Sequence, residues 1–327
     1  MTETLPSAPT SSGIGVGRLL TTFDWRRNVT YIGFVAIFAF FAVTLNDDGF
    51  LTQTNLLNIV RQTAHISVMA VAMTFVLAAG HIDLSVGSVV GLASVTTAMS
   101  ILEWGLIAGI GVGLLTGVVV GIVNGWLTTR IGIPSFLVTL AMLGIAKGTA
   151  TWISDTAAKP ILHDGYNNAF GSGDLGPVPV LAFWTLGAAV LGHVLLKKAA
   201  FGRRVLATGG NETAARYSGI DTKSITRRVL FLSSVGAAIA GMLYAGRFHS
   251  GSDEFGTGDE LSVIAAAVLG GTSLFGGMGS VVGSVIGALM IGMINNGLLL
   301  MGLEFHQQLI VRGVIIVLAV AAVKKQD

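Results

Sequence analysis

Residues 79–91 read Ala-Gly-His-Ile-Asp-Leu-Ser-Val-Gly-Ser-Val-Val-Gly, a polar break with one acid, Asp83, between two long apolar runs. Backbone that breaks at membrane depth has to be shielded by protein or line a water-filled path, because lipid offers free N–H and C=O groups no partner. Broken helices with polar junctions therefore point to a transport route. Two roles stand open for Asp83. It can cap the helix that follows by accepting backbone N–H bonds, or it can take part in gating or in contact with a solute. Further polar groups suited to such a route are Ser88, Asn124, Asn295 and Asn296, joined by Thr74, Ser94, Thr96, Thr97 and Thr139. The same residue types also serve as hydrogen-bonding glue between helices in lipid.

Other chemistries find little support. The six histidines are scattered at 65, 81, 163, 193, 249 and 306, and cysteine is absent, so no metal-ligand spacing or clustered acid/base set emerges. Residues 270–279 (Gly-Gly-Thr-Ser-Leu-Phe-Gly-Gly-Met-Gly) are glycine-rich, but the Lys-Ser/Thr ending of a phosphate-binding loop is missing throughout the chain. A tight turn between packed helices is the better reading. The chain reads as a non-enzyme that binds no cofactor or metal and has no nucleic-acid partner. The expected spans hold no mid-span Asp or Glu, and Lys147 and Arg312 sit near span ends from which they can snorkel. Ion-driven carriers usually retain buried carboxylates or a His relay, so this pattern suits a neutral solute.

These residues need a membrane scaffold. Hydrophobic residues make up 52% of the 327, charged residues only 11%, and mean hydropathy is +0.77; soluble domains carry roughly 25% charge. The 45 glycines suit closely packed helices in lipid. A crossing needs ~20 residues of helix, and ten candidate segments follow: 29–45, 64–79, 86–101, 106–127, 134–153, 181–196, 229–245, 261–269, 281–301 and 309–323. The segment 261–269 is too short to cross alone and reads as a half-helix that either spans with its flanks or re-enters. The expected fold is an all-α integral membrane protein of about ten transmembrane helices. Residues 1–17, rich in Ser, Thr, Pro and Gly, read as a disordered cytoplasmic tail and not as a cleavable signal peptide; 18–327 form one polytopic domain.

Charge sets the orientation. With the N-terminus inside, the inner segments hold fourteen basic residues (Arg18, Arg26, Arg27, Arg130, Lys197, Lys198, Arg203, Arg204, Arg216, Lys223, Arg227, Arg228, Lys324 and Lys325). The outer loops hold three, Arg61, Lys159 and Arg247, together with most of the acid. Both termini are therefore expected in the cytoplasm.

Two weak internal echoes suggest duplication. Residues 85–91 resemble 277–283, and 121–124 resemble 292–295, with offsets of 192 and 171. The second offset pairs spans an odd number apart, the arrangement of an inverted repeat; Gly/Ser/Val-rich helices also look alike without common origin. The largest inner segment, 197–228, carries eight basic residues. Within it Asn211 can cap a short helix over 211–217, with Glu212 favourable in its first turn. Its shape suits a docking knob, while its flanking charge also suits anionic lipid.

Three stretches in this order resemble one family. They are Ile82-Asp83-Leu84-Ser85-Val86-Gly87-Ser88; Gly202-Arg203 leading to Gly209-Gly210-Asn211-Glu212-Thr213-Ala214-Ala215-Arg216-Tyr217-Ser218-Gly219-Ile220; and Asp259-Glu260-Leu261 followed by Val268-Leu269-Gly270-Gly271-Thr272-Ser273-Leu274-Phe275-Gly276-Gly277. The chain is similar here to the permease subunit of bacterial monosaccharide ABC importers, the ribose/xylose/arabinose type. It departs at His81, where that family commonly has glycine. The resemblance implies a multi-pass protein of the bacterial cytoplasmic membrane, in which two permease copies, a homodimer, form a pore for a neutral sugar (pentose, hexose or polyol). It implies ATP-binding subunits that hold Mg-ATP and dock inside on a coupling helix at 209–219, through Gly209, Gly210, Asn211, Glu212, Ala215, Arg216 and Gly219. It implies an extracytoplasmic sugar-binding protein meeting the outer loops 155–180 and 246–260. The translocation path or gate would draw on Asp83, Ser88, Asn124, Asn295 and Asn296. An ion-coupled secondary sugar carrier is the alternative.

Overall fold

The computed structural model describes residues 25–304, 306–308, 310–311 and 313–314. The tail at 1–17 lies outside the described residues, as does most of the expected span at 309–323. The long helices are α1 (Trp25–Thr44), α2 (Gln53–Ala78), α3 (Val86–Trp104), α4 (Leu106–Trp126), α5 (Ser135–Ser154), α7 (Val180–His193), α10 (Thr222–Phe248) and α12 (Val281–Leu300). Short helices are α6 (Asp164–Phe170), α8 (Ala200–Gly210), α9 (Glu212–Tyr217) and α11 (Asp259–Leu269). Single π-helical turns extend α4 over Leu127–Ile131 and α7 over Val194–Lys198. Among the described residues seven helices are long and apolar enough to cross a membrane: α2, α3, α4, α5, α7, α10 and α12, with α4 and α7 counted through their π turns. The apolar part of α1 is shorter, over Thr30–Thr44.

Helices α2, α3, α10 and α12 are largely buried, whereas α4, α5 and α7 turn most of their apolar surface outward. That split matches a bundle in lipid, where an outer helix has no need to hide its Leu, Ile and Val. The tightest approach has a sequence cause. Gly109, Gly113, Gly117, Gly121 and Gly125 recur every four residues on one face of α4. Side chains there would strike Ile101 and Thr97 of α3, then Ala238, Phe231 and Arg227 of α10. Small residues at this spacing let helix backbones approach closely.

Helix α2 begins eleven residues before the expected span, at Gln53, with Thr52 capping it through Asn55 N. It ends at Ala78, and Gly80 takes a positive φ of 78° to open the break. Ser85 occupies the N-cap position of α3. The turn 270–280 closes on the same end: Gly277 N donates to Ala78 O at 3.0 Å, and Gly271, Gly276 and Gly277 all have positive φ. It is a tight turn between helices. Asn124 lies at this end of the bundle, near the end of α4, whereas Asn296, next to Asn295, bonds Asn55 at the opposite end. The 171-residue echo thus joins helices running in opposite directions. The 192-residue echo joins α3 and α12, which both start at the same end.

Two small antiparallel ladders cap the acidic end. β1 (Lys159–Pro160) pairs with β4 (Ser250–Gly251), and β2 (Asp174–Leu175) with β3 (Val178–Pro179). From β4 the chain turns inward. Residues 251–256 pack along α3, with Gly251 against Ser94, Asp253 against Gly91 and Gly256 against Gly87. Helix α11 starts only there. Its eleven residues span about 16 Å, roughly half the hydrocarbon thickness. Residues 249–269 therefore traverse the bundle as an irregular half followed by a helical half.

The glycine stripe generates a stability test. Replacing Gly117 with Ala should destabilise the protein by about 1–3 kcal/mol through overpacking, since its Cβ would lie 2.6 Å from Ala238 Cβ and from Ser234 O. Gly111→Ala, where a Cβ meets nothing within 4 Å, should leave stability equal or higher because alanine favours helix. Thermal unfolding of both variants in detergent checks this; equal melting points would remove the close α4–α10 contact as a determinant.

Candidate functional site

The break after α2 carries a buried polar cluster. Asp83, Ser85 and Asn124 are each fully inaccessible to solvent. Asp83 Oδ1 accepts from Ser85 N at 2.9 Å and from Ser85 Oγ at 2.6 Å. Asn124 Nδ2 donates to Ser85 Oγ at 3.1 Å. Asp83 therefore secures the backbone just before α3, two residues ahead of the N-cap position, and does not bond the first turn itself. The Ser233 hydroxyl of α10 lies beside the same carboxylate without a well-formed hydrogen bond. Asp83 Oδ2 and Asn124 Oδ1 have no hydrogen-bond partner among the described residues. Thr139 of α5 closes the break from the other side, accepting from Leu84 N at 3.1 Å and donating to Ile82 O at 3.3 Å.

His81 ties this break to two helix starts. Its Nε2 meets Thr226 Oγ1 at 2.9 Å and its Nδ1 meets Ser135 Oγ at 3.2 Å.

Farther along the bundle the structure corrects an expectation. The expected spans exclude acid, yet Asp259, placed in an outer loop by hydropathy, lies buried at the start of α11. Tyr244 Oη donates to its Oδ2 at 2.7 Å. The Tyr244 ring rests on His65, with 3.8 Å between centroids, and His65 is the thirteenth residue of the 26 in α2. Asp259 is thus packed inside the bundle and not in an exposed loop. Tyr244, Phe248 and Phe255 form an aromatic group around it, with Tyr244 and Phe255 stacked at 5.3 Å. Glycines at 256 and 258, both with positive φ, are the sequence signal for this helix start.

Lys147 has acidic partners. Its Nζ donates to Asp253 O at 2.8 Å, to Asp253 Oδ2 at 3.2 Å and to Glu254 Oε1 at 2.7 Å. Thr151 Oγ1 adds a bond to Asp253 Oδ2 at 2.7 Å. These contacts clasp the inward-turning strand to α5.

At the basic end α9 has the expected form. Asn211 caps it by accepting from Ala214 N at 2.9 Å. Asn211, Glu212, Arg216, Tyr217 and Gly219 are exposed, and Ala215 is buried beneath them. Gly219 has φ +81°. Gly209, half-buried, packs on Ala78 and Gly276, and Gly210 is exposed beside Gly277. Helix α8, absent from the expected elements, carries both glycines. A cavity of about 270 Å³ next to α9 is lined by Arg204, Asp221, Ser224 and Arg228.

The remaining candidates are not gathered with Asp83. Asn296 exchanges two hydrogen bonds with Asn55, at 3.0 and 2.8 Å, and so joins α12 to the start of α2. Asn295, half-buried, has an Oδ1 without a hydrogen-bond partner among the described residues. Ser88 is half-buried in the first turn of α3.

Comparison with known proteins adds a family. Residues 55–320 match the model of the branched-chain amino acid transport system / permease component. The chain is similar to the ribose import permease protein RbsC of Bacillus subtilis (strain 168), 41% identical over 290 residues, which is 87% of this chain and 89% of that one. It is similar to the probable ABC transporter permease protein YphD of Escherichia coli (strain K12), 38% identical over 90% of each chain. It is also similar to the L-arabinose transport system permease protein AraH of Escherichia coli (strain K12), 37% identical over 96% of each chain. No solved structure matches.

The geometry of the break predicts different outcomes for two substitutions. Asp83→Ala should cost about 1–3 kcal/mol, because Ser85 N–H loses its buried acceptor. Asp83→Asn retains an acceptor oxygen and should melt within a few degrees of the parent. A large loss for both in thermal unfolding would show that the charge itself holds the break.

Proposed function

This chain belongs to the branched-chain amino acid transport system / permease component family, and from that premise we propose that it is the permease of an ATP-driven importer of a neutral sugar. The observation that carries the reading is the extent of similarity: relatives named for ribose and L-arabinose align over 87% and 96% of this chain. ATP binding and hydrolysis belong to separate subunits, and this chain holds no nucleotide. Those subunits dock on α9 at the basic end, which faces the cytoplasm by the positive-inside rule. What supports docking there is a short, capped helix whose Glu212, Arg216 and Tyr217 project into solvent. A sugar-binding protein delivers cargo to the acidic end, and two permease copies enclose the pore. Docked ATPase movement shifts the bundle between outward- and inward-facing arrangements. The polar groups at the break, Asp83 and Asn124 with Ser88 nearby, line or gate that route, and the neutral cargo needs no counter-charge.

The test is reconstitution in liposomes with the ATPase and binding protein of the same transport system. Uptake of labelled ribose, arabinose and xylose is measured with and without internal ATP, in the absence of ion gradients. Uptake should require both ATP and the binding protein. Uptake by the permease alone, appearing only under a proton or sodium gradient, would overturn the reading. In the same assay, Glu212→Ala combined with Arg216→Ala should abolish sugar-stimulated ATPase activity while leaving the permease folded; undiminished stimulation would place the docking site elsewhere.

A further inference from the structure

A hydrogen-bond path runs from α9 to the break at 79–85. Glu212 Oε1 accepts from Thr222 Oγ1 at 3.0 Å. The Thr222 carbonyl accepts from Thr226 Oγ1 at 3.1 Å, one turn further along α10. Thr226 then meets His81 Nε2, and His81 Nδ1 meets Ser135 at the start of α5. Thr222, Thr226 and Ser135 are buried, so the middle of the path is shielded from bulk water, while its Glu212 end is exposed.

The distances fit two tautomers: Thr226 donates either to the Thr222 carbonyl or to His81 Nε2. In the first, Thr226 Oγ1 accepts from His81 Nε2–H. A neutral imidazole protonated at Nε2 then uses Nδ1 to accept the Ser135 hydroxyl. One ring thus pins the break to the first turn of α5 and the second turn of α10 at once, two residues before Asp83. His81 N, moreover, donates to Val76 O at 3.0 Å, which fixes the backbone carrying the ring to the end of α2. A glycine at this position would make neither side-chain bond.

We propose that His81 is a positioning residue for coupling: it passes displacement of α9, through Glu212, Thr222 and Thr226, to the break at 79–85. This rests on α9 being the ATPase docking helix. Moving α9 pulls the first turn of α10. Because His81 is held by both Thr226 and Ser135, that pull reorients the break that Asp83 and Asn124 stabilise.

The experiment uses the full reconstituted importer and reads sugar transported per ATP hydrolysed, alongside basal ATPase activity and melting temperature. His81→Phe keeps the ring and removes both nitrogens. It should lower the transport-to-hydrolysis ratio about fivefold or more, the lower end of ordinary allosteric coupling, with basal hydrolysis retained. His81→Gln, which keeps one donor and one acceptor, should restore most of the ratio. Thr226→Val should lower the ratio similarly, and combining it with His81→Phe should add little further, since both interrupt one path. A normal ratio in His81→Phe, with Glu212→Ala/Arg216→Ala uncoupled, overturns the relay and leaves docking on α9 intact. Normal coupling in the Glu212/Arg216 variant instead removes the docking premise. Should His81→Phe fail to fold, Thr226→Val decides: a normal ratio there overturns the relay.

Discussion

A backbone interrupted inside an apolar bundle must find its hydrogen bonds in the protein, and the break at 79–85 is where this constraint falls hardest. Ala78 O is met by Gly277 N, Leu84 N and Ile82 O by Thr139, and Ser85 N by Asp83. Gly277 and Thr139 come from distant parts of the chain, Asp83 is local, and Asn124 joins through Ser85 Oγ. The glycine turn at 270–280, the start of α5 and the end of α4 are thereby brought to one point. The positive φ of Gly80 and the side-chain-free surface of Gly209 allow that convergence, since a Cβ on Gly209 would overlap the Ala78 carbonyl. The cost of an unmet N–H or C=O in a dry environment explains why so many short-range features of this sequence are glycine, serine or threonine.

Much of this was legible in the sequence. The polar joint at Asp83, the helix over Glu212–Tyr217 with its Asn211 cap, and the turn at 270–280 all follow from residue types at fixed spacing. What escaped has identifiable physical causes. The first turns of α2 hold Gln53, Asn55, Asn58, Arg61 and Gln62, which depress hydropathy below that of a span. In the fold Asn55 is bonded to Asn296, and Arg61 to Asp174 at 2.6 Å. Helix α10 starts at Thr222, seven residues before its apolar run, because Asp221 caps it by accepting from Ser224 N. Hydropathy reports where lipid can lie, whereas helix length also follows caps and polar partners.

The acidic loop at 250–260 is the instructive failure. Counting charge along the sequence assigns Asp253 and Asp259 to solvent, which is the correct average expectation for a carboxylate. Both are buried, because a clasp from Lys147 and Thr151 draws the strand down along α3, and Gly87, Gly91 and Gly256 leave it room. No local pattern announces a loop that folds inward, since its partners lie about a hundred residues away. The expected spans themselves remain free of Asp and Glu, and membership of the permease family supports the ATP-driven reading independently.

Helix α10 connects these parts. Its 27 residues extend about 40 Å, from the basic end to the aromatic group. Along it lie Thr222 on Glu212, Thr226 on His81, Ser233 beside Asp83, Ala238 against the glycine stripe of α4, and Tyr244 on Asp259. A single helix of that length moves as a body more readily than it kinks at any one of these contacts, because a sharp kink interrupts its internal ladder. Displacement at one end therefore reaches both irregular regions of the bundle, the break before α3 and the half-helix start of α11. These regions have backbone that is not locked into regular helix, so they are the places where a small rotation of α10 can be absorbed by rearrangement. Coupling between the basic and acidic ends thus needs no long chain of independent contacts. It needs one stiff element, with a polar attachment at each point where the surrounding structure can yield.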